Sequence, residues 1–179
     1  MNATQFRSCG NSENLRTQFN ALLADVRLSL NGTFVVDDDG ANLAIGGTVQ
    51  NVYTGAFKYQ IRGPRYVKNA VAAGTAFTAT TDDVSDGSCR AFLLSIGTTG
   101  TITITPGTEA VGTEPGALPT CPVNDCPIGL VTIAADGAIF NATTDSLAAS
   151  HLTVTYTNYN YANNYEGYDG FVCQGLTAT

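Results

Sequence analysis

Near the start of the chain, Leu15, Phe19, Leu22, Leu23, Val26 and Leu30 recur at i, i+4, i+7, i+8, i+11 and i+15, one apolar stripe of an amphipathic helix. Asn11 or Ser12 can serve as its N-cap, Glu13 falls in the first turn, and Asn31-Gly32 supplies a stop. The stripe either packs on the chain's own sheet or meets symmetry mates or a larger surface. Beyond residue 32 the period drops to two. Thr33 to Val36, the acidic turn Asp37-Asp38-Asp39-Gly40 and Leu43 to Ile45 predict a hairpin. Phe57, Tyr59 and Ile61 alternate with Lys58, Gln60 and Arg62, so that strand has one wet face. Gly63-Pro64 turns it back onto Tyr66-Val67-Lys68. Thr75 to Thr80 follows, with Phe77 as the inward residue.

Cys89 to Ile96 is nearly all apolar and predicts a strand buried on both faces. Across Gly97-Thr98-Thr99-Gly100 it faces the alternating Thr101 to Thr105, the best-defined hairpin in the chain. Pro106 to Pro127 holds five of the six prolines and predicts a long surface connection, either crossing between sheets or acting outside the domain. Strand pattern resumes at Ile128 to Ile133 and again at Leu152, Val154 and Tyr156. About eight to ten short strands at these spacings, with one long crossover, predict an all-β jelly-roll or Greek-key β-sandwich with one N-terminal α-helix. The expected organisation is an arm and helix over 1–32, a sandwich over 33–157 and a Tyr/Asn-rich tail over 158–179 packed on or extending from it.

Composition sharpens this. Charged residues make up only 13% of the 179 positions while threonine reaches 25, and a Thr-rich, charge-poor chain favours pleated strands over solvated helices. A net charge of −7 argues against nucleic acid or an anionic membrane as the main partner. No run approaches a membrane span, and the N-terminus lacks a secretory stretch, so synthesis in a cytoplasm is expected.

Chemistry is sparse. Five cysteines leave at least one free or paired with another chain, and Cys121 and Cys126, in the Pro-rich connection, are the candidate disulfide should the protein reach an oxidising medium. Paired Cys-x-x-Cys knuckles are missing and His151 is the lone imidazole, so no metal site is expected. His151 reads as a solvent-facing strand-end residue; no Gly-x-Ser-x-Gly elbow accompanies it, and catalytic residues are not expected. Asp37 to Asp39 lack the calcium-loop pattern and read as a turn, as do Asp82-Asp83 and Asp86-Gly87. No phosphate or dinucleotide fingerprint is present, and no cofactor is expected. Tyr159, Tyr161, Tyr165 and Tyr168, set among asparagines, form a candidate adhesive surface or a cover over the sheet, with sugar binding as a third use.

The order of Tyr59-Gln-Ile-Arg-Gly-Pro-Arg-Tyr66, Ala73-Gly-Thr-Ala-Phe77, Cys89-Arg-Ala-Phe-Leu-Leu-Ser-Ile96, Thr101-Ile-Thr-Ile104, Gly107-Thr-Glu109, Ala117-Leu-Pro119, Cys121-Pro122, Pro127-Ile-Gly-Leu-Val131 and Phe140 resembles tailed-bacteriophage head decoration, cement or head-fibre proteins. The resemblance spans residues 53–157 and consists of strand phrases, not catalytic signatures. It implies a β-sandwich displayed in many copies, commonly as a homotrimer, bound to the major capsid protein at the virion surface. The tail and the Cys121 to Cys126 pair have no counterpart in it. On that reading Leu15, Phe19, Leu22, Leu23 and Val26 are the candidate lattice or trimer contact. The alternatives are a receptor-binding or fibre-tip protein adhering to host-surface glycans, and a small extracellular hydrolase or calcium-dependent lectin.

Overall fold

The computed structural model describes residues 32–36, 40–46, 51–77 and 80–160, together with Phe19. The helix expected near the N-terminus lies outside the described residues, apart from Phe19, which is exposed. The described part is mainly β, and every strand pairing is antiparallel. Among the described residues eleven strands run in the order β1 (Phe34–Val35), β2 (Ala44–Ile45), β3 (Asn51–Thr54), β4 (Phe57–Gln60), β5 (Arg65–Lys68), β6 (Val71–Ala76), β7 (Ser88–Ile96), β8 (Ile102–Pro106), β9 (Ala110–Val111), β10 (Cys126–Ala135) and β11 (Leu152–Asn158), with a 3-10 turn at Thr80–Asp82.

Three sheets result: β1-β4-β5, β2-β3-β6, and a five-stranded sheet β11-β10-β7-β8 in which β9 also pairs with β7. The five-stranded sheet forms around the most apolar phrase. Along β7, Phe92, Leu94 and Ile96 point to one face and Ala91 and Leu93 to the other, and all are buried. The first face joins Ile128, Val131 and Ile133 of β10 in the main core. It packs there with Val35, Phe57 and Tyr59 of the first small sheet and Val52 of the second, a sandwich-like arrangement. Phe77 sits edge-on to Phe92 and Phe140, at centroid distances of 5.0 and 5.8 Å, and confirms its inward assignment. The register of β10 shifts between Pro127 and Gly129, a bulge that lets Cys126 and Ile128 face the same core as Val131, Ile133 and Ala135.

The β7–β8 and β4–β5 hairpins form as expected. Stacked Tyr59 and Tyr66, 5.2 Å apart, link β4 to β5, and Tyr59 Oη donates to Gly97 O at 3.1 Å. The hairpin expected between 33–36 and 43–45 does not form. β1 pairs with β4 (Phe34↔Gln60, Val35↔Tyr59), and β2 pairs with β3 (Ala44↔Tyr53, Ile45↔Val52). Phe34, Val35, Ala41 and Leu43 are all buried, which a lone two-stranded ribbon could not achieve, so the two segments divide between sheets.

The Pro-rich connection also differs from expectation. Its ends are in strands, with Pro106 closing β8 and Pro127 inside β10, and β9 forms within it. Because β9 and β10 flank opposite edges of β7, the intervening chain must cross over β7. Cys121 packs there on Leu93, with Leu130 and Tyr159 beside them. The two-faced burial of β7 thus comes from this connection on one side and the small sheets on the other. Gly107 and Gly116 permit the fold-back: a Cβ on Gly107 would lie 2.7 Å from Ala117 O, and one on Gly116 2.8 Å from Thr108 O.

Candidate functional site

Among the described residues, three polar constellations and one strand edge are the places where chemistry or recognition could sit. The first is the turn that ends the Pro-rich connection. Asp125 N–H donates to Pro122 O at 3.1 Å, and Asn124 takes a left-handed φ of 71°. Asp125 accepts from Ser95 Oγ at 3.0 Å, which pins the turn to the outer face of β7. Cys121 and Cys126 flank this turn as free, buried thiols in different apolar clusters, Cys126 in the main core and Cys121 with Leu93 on the opposite face. Cys121 Sγ donates to Asp125 O and Cys126 Sγ to Pro127 O, at 3.8 and 3.6 Å. Burial, with the nearby Asp125 carboxylate adding to it, pushes the Cys121 thiol up to about 12; burial holds Cys126 well above the ordinary thiol range. Neither is a thiolate near neutral pH, the form that attacks or ligates.

The second constellation was not singled out from the sequence. Arg90, the one charged residue in β7, pairs with Glu109 at 3.0 Å. Its Nη1 donates to Thr81 O (2.6 Å) and Asp83 O (2.9 Å). Glu109 accepts in turn from Ser85 N–H at 3.0 Å. Burial alone would raise the Glu109 carboxyl, but the Ser85 hydrogen bonds and the Arg90 charge outweigh it and hold the carboxyl below its usual range. This is a clamp tying the 80–85 segment and the β8–β9 bend onto β7. A lone arginine inside an apolar strand was the available signal.

The third lies at the start of β11. Asp145 accepts from Asn141 N–H at 2.8 Å, and that hydrogen bond leads the causes that lower its carboxyl pKa; the nearby His151 contributes last. His151 is half-buried, not solvent-facing as expected, because the 146–151 turn folds against the sandwich. Its Nε2 is out of water without a hydrogen-bond partner. Through Nε2 the imidazole therefore holds no Ser, Thr or Cys in a nucleophile–base contact. The acidic turns at Asp83 and Asp86 accept from Ala142 and Gly137 N–H, at 2.8 and 2.7 Å, and tie distant loops together. Among the described residues no three His, Cys, Asp or Glu side chains gather as a metal ion needs.

The strand edge is β11. Thr153, Thr155 and Thr157 are exposed on the outer face, while Leu152, Val154 and Tyr156 pack against the core from the margin. Of the tail tyrosines, Tyr159 is half-buried against the Leu93–Cys121 cluster, and Tyr161, Tyr165 and Tyr168 lie outside the described residues, as do Leu15, Leu22, Leu23, Val26 and Asp37 to Asp39. No protein-family model, curated protein or solved structure matches the chain.

Proposed function

We propose that this chain is a non-enzymatic virion structural protein, a decoration or cement protein that binds the outer surface of a phage head lattice and stabilises it. The observation that carries the reading is the surface of the five-stranded sheet. Thr153, Thr155 and Thr157 on β11, and Thr101 and Thr103 at β8, are exposed at its two margins. Covering such hydroxyls exchanges water for partner hydrogen bonds without desolvating a charge, and many identical copies turn modest contacts into firm attachment. The strand phrases over residues 53–157 that resemble head decoration proteins support the same reading, including a jelly-roll or Greek-key path for the sandwich. On it, the major capsid protein is the partner, copies associate as a homotrimer, and the stripe Leu15, Phe19, Leu22, Leu23 and Val26 makes the lattice or trimer contact.

The test is addition of purified protein to heads that lack it. Stoichiometric occupancy and a higher rupture temperature are expected, and deleting residues 1–30 should reduce occupancy or oligomeric mass. Absence of binding, together with saturable adhesion of the isolated protein to host cells, would replace this reading with the receptor-binding one.

A further inference from the structure

The outward N–H and C=O groups of an edge strand accept a further strand, and proteins blunt such edges with short length, charge, proline or a kink. The other edges described here are blunted. β1, β2 and β9 have two residues each, β5 carries Arg65 and Lys68, β6 contains Gly74 at φ 79°, and β8 ends on Pro106. β11 has none of these devices. It is seven residues, Leu-Thr-Val-Thr-Tyr-Thr-Asn, uncharged, and registered on β10 without a break.

Two hydrogen bonds set the phase of this edge. Asp136 N–H donates to His151 O at 2.9 Å, and Tyr159 N–H donates to Ile128 O at 3.2 Å. Antiparallel partners alternate between bonded and non-bonded pairs, so Thr153, Thr155 and Thr157 turn their backbone groups to β10, and Val154 and Tyr156 turn theirs outward. One end is closed by Leu152 N–H on Ala149 O at 3.0 Å, and the other by Leu43 N–H on Asn158 Oδ1 at 2.7 Å. Between them, among the described residues, nothing pairs with the outward groups of Val154 and Tyr156. Tyr156 also buries its hydroxyl without a hydrogen-bond partner.

We propose that the outer edge of β11, unpaired among the described residues, is a strand-binding site, at which an extended segment of another polypeptide adds to the five-stranded sheet. The fitting segment is uncharged or basic, places apolar side chains beside Val154 and Tyr156, and places small hydroxyl side chains beside the threonine row. A second copy fits poorly. The open window, residues 153–157, is only about 17 Å long at strand spacing, too short for two rigid bodies to bury the roughly 1,200 Å² of a stable interface. Each copy also carries a net charge of −7, so self-pairing opposes like charges. A peptide strand brings no such body.

The probe is a blocked ten-residue peptide of alternating valine and threonine with a lysine at each end, added to the full chain. Saturable binding is expected, with amide exchange at Val154 and Tyr156 slowed about tenfold or more and exchange at Thr155 unchanged. The same peptide N-methylated at alternate residues should not bind. Val154→Pro, which removes an outward donor and spares the ladder, should weaken binding about tenfold; if that variant does not fold, the methylated peptide carries the comparison. Equal binding of both peptides, or no slowing at Val154 and Tyr156, overturns the proposal. So does protection of those amides in the free protein, which in a monomer assigns the edge to the chain's own segments and in a dimer to a second copy.

Discussion

Gly129 sits in β10 where the sheet faces Leu43, and it has room for nothing larger. A Cβ built there runs into Leu43 Cδ1 and lies 2.7 Å from Thr157 O on β11. The backbone at Gly129 is not left-handed, so Gly129→Ala tests crowding alone. Leu43 is buried and cannot swing into solvent, while Thr157 O belongs to the neighbouring strand of an unbroken ladder. Overpacking of this kind costs about 1–3 kcal/mol. In a chain of 179 residues each kcal/mol lowers the melting temperature by about 2–4 °C. Leu43→Ala alone should cost about 2–5 kcal/mol through the lost side chain and its cavity. In the double variant the new methyl enters that cavity, so the two costs should fall short of their sum by about 1 kcal/mol. Relief should stay incomplete, because Thr157 O does not move with Leu43. Urea unfolding of the four proteins measures the cycle. Strict additivity, or a neutral Gly129→Ala, would refute the claim that Leu43 and β10 share one tightly filled volume.

The Arg90 clamp gives a stability and a pH signature. Arg90→Met takes the guanidinium donors from Thr81 O and Asp83 O, leaves Glu109 without its ion pair, and should cost about 1–3 kcal/mol in urea. The Glu109 carboxyl is lowered from an ordinary 4.5, so its stabilisation is full above that value and is lost as the pH falls through the depressed native one; Glu109→Gln should flatten this acid limb, and an unchanged limb would count against the clamp. The thiol of Cys121 is raised from an ordinary 9.0 to about 12, so its contribution is full below pH 9 and fades as the pH climbs towards 12. Cys121→Ala should flatten that alkaline limb. Site-mapped alkylation at pH 8 should leave Cys121 and Cys126 unmodified in the folded protein and label both in urea; rapid native labelling would contradict their burial.

The strands that were legible in the sequence have local partners and a one-residue alternation to read. Phe57, Tyr59 and Ile61 announced β4, Gly63-Pro64 the return to β5, and Cys89 to Ile96 a strand hidden on both faces. Only the last forced a tertiary conclusion, since a strand without a polar face needs two covers. The sequence did not say that one cover is the Pro-rich connection. Prolines mark where ladders stop, and nothing in their spacing tells that Cys121 will rest on Leu93. The 33–45 segment departs from its expected hairpin for a related reason. Two-residue strands carry no period, so their partners are chosen by where four apolar side chains can be buried together, a non-local condition.

Recognition at β11 is harder still to read, because the groups concerned are amides and carbonyls that every residue possesses. The sequence could show Leu152, Val154 and Tyr156 alternating with threonines, and hence a strand. It could not show that the strand would be the last of its sheet among the described residues, nor that Val154 and Tyr156 would be the residues turned outward. That phase depends on bonds from Asp136 and Tyr159, and a shift of one residue would expose the amides of the threonines instead. What the sequence does carry is omission: seven positions without lysine, glutamate, proline or glycine at a place where an edge is normally defended. Restoring the defence should therefore separate adhesion from folding. Thr155→Lys points its charge from the exposed face, leaves every β10–β11 hydrogen bond in place, and should change the unfolding free energy by no more than about 0.5 kcal/mol. It should still weaken capture of the lysine-flanked valine–threonine peptide, by like-charge repulsion that fades as salt is raised. A lysine variant that binds the peptide as well as the parent at low salt would mean that the threonine row takes no part in recognition.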